Sequence, residues 1–300
     1  MANEWTVLGI LNATRDYLAS KGFENARLEA EMLVAHVLSS SRIELYLKHD
    51  RPMSNGEIAR SRALLKRRLA GEPVQYITGS AAFMFTDFRV DPRVLIPRPE
   101  TEALVEAALE ALRERAACDR GLRVADVGTG SGVIAVTIAL RFGEARVWAS
   151  DVSEEVVALA AGNAERAGVR ERIEFLVGAD LEPFAQAGLE NKLDAVVSNP
   201  PYVPTGDLAS LPREVREHEP AVALDGGEDG LDCLRTIAHD GPRFLVPGGV
   251  LALEVGDGQA ERVAGLLREG LEDVEVRRDY AGRDRIVVGT RSREERHREG

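Results

Sequence analysis

From residue 122 onward the chain keeps changing its hydrophobic period. "LRVADV", "ARVWAS", "RIEFLV" and "LDAVVS" are short runs of β-branched and aliphatic residues, whereas "GVIAVTIALRF" and "EEVVALAAGNAERAG" repeat apolar residues at helical spacing. The alternation resumes as helix-like "LDCLRTIAHDGPRFL", strand-like "VLALEV", helix-like "GQAERVAGLLREG" and strand-like "DVEVRRDY" and "RIVVGT". Strands joined through helices of this length pair in parallel, because a parallel connection needs a dozen or more residues. The region is therefore expected to form an α/β fold with a doubly wound, mostly parallel sheet.

The residues before it differ. "TVLGILNATRDYLAS" (6–20), "NARLEAEMLVAHVLS" (25–39) and "SNGEIARSRALLKRRLAG" (54–71) read as helices, with Leu28, Met32 and Ala35 at helical intervals in the second. The third opens with a capping box, Ser54 with Glu57, and closes on Gly71. Its Lys66-Arg67-Arg68 cluster is read as a solvated face near a helix C-terminus, where positive charge is favoured. "VQYITG", "FMFTDFRVD" and "RVLIP" are broken by glycine and proline and suggest a hairpin connector. "RPETEALVEAALEALRERA" (98–116) restarts a helix with Pro99 near its first turn and Thr101, Leu104, Val105, Ala108 and Leu112 on one face. The expected organisation is a helical domain (1–72), a β-hairpin connector (73–98), an α/β domain (99–290) and a frayed charged tail (291–300).

Composition removes several function classes. A net charge of −12 repels polyanions on average, so direct nucleic-acid binding is not expected. Cys118 and Cys233 lie far apart without a CxxC pair, and His36, His49, His218, His239 and His297 show no ligand spacing, so neither a disulfide framework nor a metal site is expected. No apolar run is long enough for a membrane span, and "MANEWTVLGI" lacks the pattern of a signal peptide, so the expected compartment is the cytoplasm.

The unusual residues of the α/β region fall at strand ends. "DVGTGSG" (126–132) follows the first strand, Asp151 ends the second, Asp180 follows the third and Asn199 ends the fourth. In a parallel sheet these places share the carboxyl edge, where open α/β sheets bind ligands. Gly128, Gly130 and Gly132, with Thr129 and Ser131 between them, allow a tight turn that brings backbone against a ligand. Asp151 stands nineteen residues beyond Gly132, near the spacing at which an acid reaches a ribose hydroxyl pair. A dinucleotide fingerprint needs glycine where Val133 stands, which favours S-adenosylmethionine over a dinucleotide.

"SNPPY" (198–202) surrenders two consecutive backbone donors at Pro200 and Pro201. Terminating the strand is one role for it. Opposite a methyl donor it has another: the Asn199 side-chain carbonyl and the Pro200 backbone carbonyl suit the two hydrogens of a planar NH2 group, and Tyr202 offers a face for stacking. A conjugated nitrogen is a poor nucleophile, so gripping both hydrogens aims it and stabilises the charge that develops. The motif holds no strong general base. The proton is expected to leave to Asn199, to the Pro200 carbonyl or to water, and one titrating group with a pKa near 7 in the rate profile would count against that. The chemistry alone leaves adenine, guanine and glutamine amide groups open.

"GEPVQYITG" (71–79), "FMFTDFRVD" (83–91), "LIPRPETE" (95–102), "DVGTGSG", "SNPPY" and "EPAVALDGGEDGL" (219–231) occur in an order and spacing that resembles the protein-(glutamine-N5) methyltransferases of the release factor type. The resemblance implies a Rossmann-like class I methyltransferase fold with a small helical domain that docks the substrate. It implies S-adenosylmethionine, leaving as S-adenosylhomocysteine, at Gly128 to Gly132, Asp151, Asp180, Leu181 and Asn199. It further implies that Asn199, Pro200, Pro201 and Tyr202 hold the glutamine of the Gly-Gly-Gln motif in class I peptide-chain release factors, with Asn199, Pro200 and Tyr202 catalytic. Where some members carry an aromatic residue after the third-strand acid, this chain has Leu181. Phe83, Phe85 and Arg98-Pro99-Glu100 are candidates for the mouth of the site, and Glu254 in "LEVG" reads as structural. The alternatives are an adenine or guanine amino-methyltransferase acting on DNA or RNA, and a non-catalytic nucleoside-binding adaptor.

Overall fold

The computed structural model describes residues 5–115 and 121–293, which leaves Cys118, His297 and most of the expected tail outside the described residues. The chain divides into two compact units, one of residues 1–80 with 212–218 and one of residues 81–211 with 219–300.

The first unit is helical. Its elements are α1 (Val7–Ser20), α2 (Ala26–Leu38), α3 (Arg42–Leu47), α4 (Asn55–Leu69) and α5 (Val74–Thr78). Thr6 caps α1 by accepting from Gly9 N at 3.1 Å, and capping boxes start both α3 (Ser41 with Glu44) and α4 (Ser54 with Glu57). Helix α2 packs against the other four, so it is buried over most of its circumference, including Ala30, Leu33, Val34 and Val37. Of the residues expected on one apolar face, Ala35 is buried and Met32 packs partly buried against the core, while Leu28 is left at the surface.

Two expectations are corrected here. Arg68 is not solvated: its side chain is 7 % exposed and donates to Glu29 through Nε at 2.6 Å and Nη2 at 3.0 Å. It also pairs with Glu214 at 2.8 Å and lies 4.4 Å from the centre of the Phe23 ring. Residues 74–78 form helix α5 rather than part of a hairpin, because Pro73 starts a helical turn and Gly79, at φ +71°, ends it.

The connector hairpin shrinks accordingly to β1 (Ser80–Phe83) and β2 (Thr86–Arg89), with Met84 and Phe85 both at positive φ in the turn. Asn163 secures it within the second unit, accepting from Arg89 N at 2.8 Å and donating to Arg89 O at 3.0 Å. "RVLIP" is loop, since Pro97 and Pro99 withhold ladder donors.

The second unit continues with α6 (Pro99–Arg115), β3 (Arg123–Val127), α7 (Val133–Arg141), β4 (Arg146–Asp151), α8 (Glu154–Arg166), β5 (Ile173–Val177), α9 (Glu182–Gln186) and β6 (Leu193–Ser198). After α10 (Arg213–His218), which belongs to the first unit, come α11 (Asp232–Asp240), β7 (Leu245–Glu254), α12 (Ala260–Leu267), β8 (Glu272–Arg278) and β9 (Asp284–Thr290). The seven-stranded sheet has the order β5-β4-β3-β6-β7-β9-β8, parallel from β5 through β7 and antiparallel for the two final pairings. The order reverses between β3 and β6, so a crevice opens beyond their carboxyl ends.

Side chains alternate across the sheet into two cores. Val124, Val147, Ala195 and Val197 pack with Leu104, Leu112 and Ile138 on one side. Ala125, Val196, Leu251 and Leu253 pack with Phe184, Leu234 and Val263 on the other. Full burial of each large aliphatic chain contributes roughly 1.5–3 kcal/mol, which holds the strand ends in register. Arg291 is no frayed residue: its backbone makes 2.8 Å hydrogen bonds with Gly248 and Gly249 and prolongs the pairing of β9 with β7.

Candidate active site

A cavity of about 430 Å³ occupies the crevice at the carboxyl edge of the second unit. It brings together Gly128, Thr129, Gly130 and Ser131 after β3, Asp151 at the end of β4, Asp180 after β5, and Asn199, Pro200 and Pro201 after β6. Four separate strand ends converge on one space, as the parallel sheet requires.

The glycine turn is shaped by its neighbours. Gly128 and Gly130 sit at φ +71° and +54° with nothing within 4 Å of where a Cβ would stand, so the backbone lies open to the cavity. Thr129 N donates to Ser150 O at 2.8 Å and ties the turn to β4. Below it Asp126 accepts from the Thr129 hydroxyl at 2.6 Å and Ala135 N at 3.1 Å, while its Oδ1 has no partner among the described residues. Burial pushes the Asp126 carboxyl up to about 7 against those two donors. Gly132 does not line the cavity. A Cβ there would stand 3.2 Å from Ala160 Cβ, so this glycine serves close packing of the turn on α8.

Asp151 accepts from Gly130 N at 3.1 Å and Ser153 N at 3.3 Å. Burial raises its pKa, opposed by these backbone donors. Asp180, in the left-handed region at φ +46°, also has a raised pKa from burial, with the nearby Asp240 charge adding to it. Leu181, expected at the cofactor, does not line the cavity and is buried with Phe184 in the second core layer.

Asn199 is held from behind. Its Nδ2 donates to Thr101 Oγ1 at 2.9 Å, and the Thr101 hydroxyl donates to Glu254 Oε2 at 2.7 Å. Tyr202, expected to stack on the substrate, does not line the cavity. Its ring packs against the second core layer and its hydroxyl donates to Glu254 Oε1 at 3.3 Å. Burial, then the adjacent Glu254 charge, push its phenol far above the ordinary value. Gln259 fixes the same residue by donating to Tyr202 O at 2.9 Å.

The motif "EPAVALDGG" has a structural purpose. Val203 N donates to Leu224 O at 2.9 Å and Gly226 N to Val203 O at 2.8 Å, which pins the segment after β6. A Cβ on Gly226 would come within 2.8 Å of Pro201 O and Tyr202 Cα, so only glycine permits this approach. Glu219, buried, accepts from Ile96 N at 3.1 Å and from Arg98, coupling this motif to "IPRPE". Of the expected mouth residues, Arg98 lines the cavity, Phe83 is buried in the core, Phe85 is fully exposed at the hairpin tip, and Pro99 and Glu100 do not reach the wall.

Sequence reading missed Arg93, Val94 and Leu95 on the wall, and gave Thr101 only a helix-face role. The "RPETE" motif carried the signal for Thr101. Arg93 gave none beyond its place before that motif.

A seven-stranded, mostly parallel sheet with the glycine turn, the spaced acid and the NPPY segment on one edge is the class I methyltransferase architecture. A structure titled hMettl16 catalytic domain in complex with MAT2A 3'UTR hairpin 6 shares the fold at a TM-score of 0.53 and 14% identity, covering 83% of this chain and 86% of that one. Family models match as "PrmC N-terminal domain" over residues 10–79 and "Methyltransferase small domain" over residues 101–211.

The release factor glutamine methyltransferase of Geobacter sulfurreducens is 46% identical over 286 residues, 95% of this chain and 96% of that protein. That of Chlorobaculum tepidum is 44% identical over 283 residues, 94% and 96% of the two chains. The chain belongs to the release factor glutamine methyltransferase family.

Proposed function

We propose that the protein transfers a methyl group from S-adenosylmethionine to the side-chain amide nitrogen of the Gly-Gly-Gln glutamine in class I peptide-chain release factors. The observation that carries this reading is the 46% identity, over 95% of this chain, to a release factor glutamine methyltransferase; the geometry at Asn199 supports the amide grip. One hydrogen of its NH2 goes to Thr101, so the amide is held through its nitrogen and Oδ1 is left to accept, and Asn199 and Pro200 both line the cavity that the glycine turn also lines.

The residues present fit the donor. Gly128 and Gly130 leave the backbone open, with no Cβ in the way, and Asp151 supplies an acceptor at the second strand end. Residues 128–131 with Asp151 and Asp180 would hold it, and when bound it supplies an electrophilic methyl on a cationic sulfonium. Asn199 Oδ1 and the Pro200 carbonyl take both hydrogens of the glutamine amide, orient its nitrogen and stabilise positive charge there. The proton then passes to one of these oxygens or to water. Pro200 and Pro201 hold the grip in place, since their locked φ leaves the segment little freedom. The helical unit docks the release factor, and the compartment is the cytoplasm, where that substrate works.

The test offers labelled S-adenosylmethionine with release factor, ribosomal protein and duplex DNA side by side. Label is expected in release factor alone, and Asn199→Ala should lower it about hundredfold, the scale of losing one preorganised transition-state partner. Label confined to nucleic acid overturns the reading.

A further inference from the structure

The Asn199–Thr101–Glu254 chain has a direction, and the direction decides what Asn199 presents. Glu254 is fully buried at the end of β7 and does not line the cavity. Thr101, on the first turn of α6, stands between it and Asn199, at 2.7 Å from the carboxylate and 2.9 Å from the amide nitrogen. We propose that Glu254 and Thr101 form a positioning relay that sets which edge of the Asn199 amide faces the methyl acceptor. The proposal rests on Asn199 being the amide grip and names the residues that keep that grip in the working orientation.

The logic is a count of hydrogens. An ionised carboxylate only accepts, so the single Thr101 hydroxyl hydrogen must point to Glu254. The Thr101 oxygen can then only accept from Asn199, so Nδ2 turns inward and Oδ1 outward. A proton on Glu254 Oε2 would donate to Thr101 instead and release the hydroxyl hydrogen toward Asn199. The amide would gain by turning Oδ1 inward, and its NH2 would then confront the NH2 of the substrate, donor against donor.

The groups facing Glu254 are Thr101 and Glu100 from α6, Tyr202 from the segment after β6, and Arg285 from β9. Burial dominates and brings the Glu254 carboxyl to about 7; Glu100 adds to the rise, while Thr101, Tyr202 and Arg285 oppose it. The relay therefore changes direction as pH passes through about 7. On the motif alone, an acid limb near 7 would signal a general base. Here it signals orientation, because Thr101 separates Glu254 from the reacting atoms.

The experiment measures release-factor methylation against pH at saturating donor, with S-adenosylhomocysteine affinity, thermal stability and the ¹⁵N-labelled Asn199 side-chain NH2 resonance of the ligand-free protein alongside. Wild type is expected to gain about tenfold in kcat between pH 6 and 8, and the Asn199 resonance to shift with the same midpoint. Thr101→Val and Glu254→Gln should flatten both profiles and lower kcat at pH 8 about tenfold, the loss of one hydrogen bond with a charged partner in its chain. Their product affinity should stay within about twofold of wild type, as expected when donor contacts are untouched. Thr101→Ser, which restores the hydroxyl, should recover the limb and most of the rate. If Asn199→Ala is inactive while Thr101→Val and Glu254→Gln keep the wild-type kcat, or the Asn199 resonance ignores pH, the relay is wrong and the grip stands. If Asn199→Ala keeps the wild-type rate, both are wrong.

Discussion

Gly128, Gly130 and Gly132 look equivalent in the sequence, and the structure separates them. Gly130 faces open cavity, whereas a Cβ on Gly132 would stand 3.2 Å from Ala160. Gly132→Ala should therefore cost about 1–3 kcal/mol in urea unfolding through overpacking and the positive φ. Gly130→Ala should cost less stability and show its main loss in S-adenosylmethionine affinity. Asp126 makes a second prediction at this scale. Burial raises its pKa to about 7, well above the ordinary carboxyl value near 4. The folded state thus holds its proton more tightly, so the stability it contributes is fully present below pH ~4 and is lost as pH rises through about 7. Asp126→Asn should flatten this part of the stability–pH curve of the ligand-free protein, an effect on the order of a few kcal/mol. That the glycine turn and the strand-end aspartates share one edge was legible from the sequence, and they line one cavity. Which glycine packs and which opens was not legible, because that depends on Ala160, on α8 across the β4 strand.

Elements were read well where their own periodicity decided them. Thr101, Leu104, Val105, Ala108 and Leu112 are all buried on α6, and every strand expected between residues 122 and 290 is present. The failures are of two kinds, weak local signals and non-local partners. Helix α3 is short and has its signal in a capping box rather than in periodicity, and the hairpin turn uses Met84 and Phe85 where glycine or asparagine is the usual sign. Arg68 is the clearest case of the second kind: a basic cluster at a helix end normally meets water, and distant partners, chiefly Glu29 thirty-nine residues away with Glu214 and Phe23 beside it, make this one different. Arg68→Ala should cost about 3–5 kcal/mol in the helical unit, because it leaves the Glu29 carboxylate buried without its main partner. Replacing Arg68 and Glu29 together by Met and Leu should recover most of that loss, as read by the helical signal during urea unfolding. An equal loss in the single and double variants would mean that packing against Phe23, not the ion pair, carries the energy.

For the molecule as a whole, the grip proposed at the carboxyl edge of the sheet and the net charge are separate influences on what is methylated. Two fixed oxygens at Asn199 and Pro200 would grip any planar NH2, so the cavity by itself does not separate a glutamine amide from the amino group of adenine or guanine. Selection has to come from outside the grip, and a net charge of −12 works against a polyanion there. A protein that neutralised several phosphates would bind DNA with a steep inverse dependence on salt. This one should show weak binding of a fluorescent duplex or hairpin by anisotropy even at low ionic strength, with a shallow slope of log K against log salt. Release-factor methylation should meanwhile change only modestly with added salt, since exposed charges are already screened beyond about 10 Å at 0.1 M. A steep salt slope for nucleic acid, with methyl transfer to it, would make the NPPY grip that of a base-modifying enzyme and leave the helical unit without the docking role proposed for it.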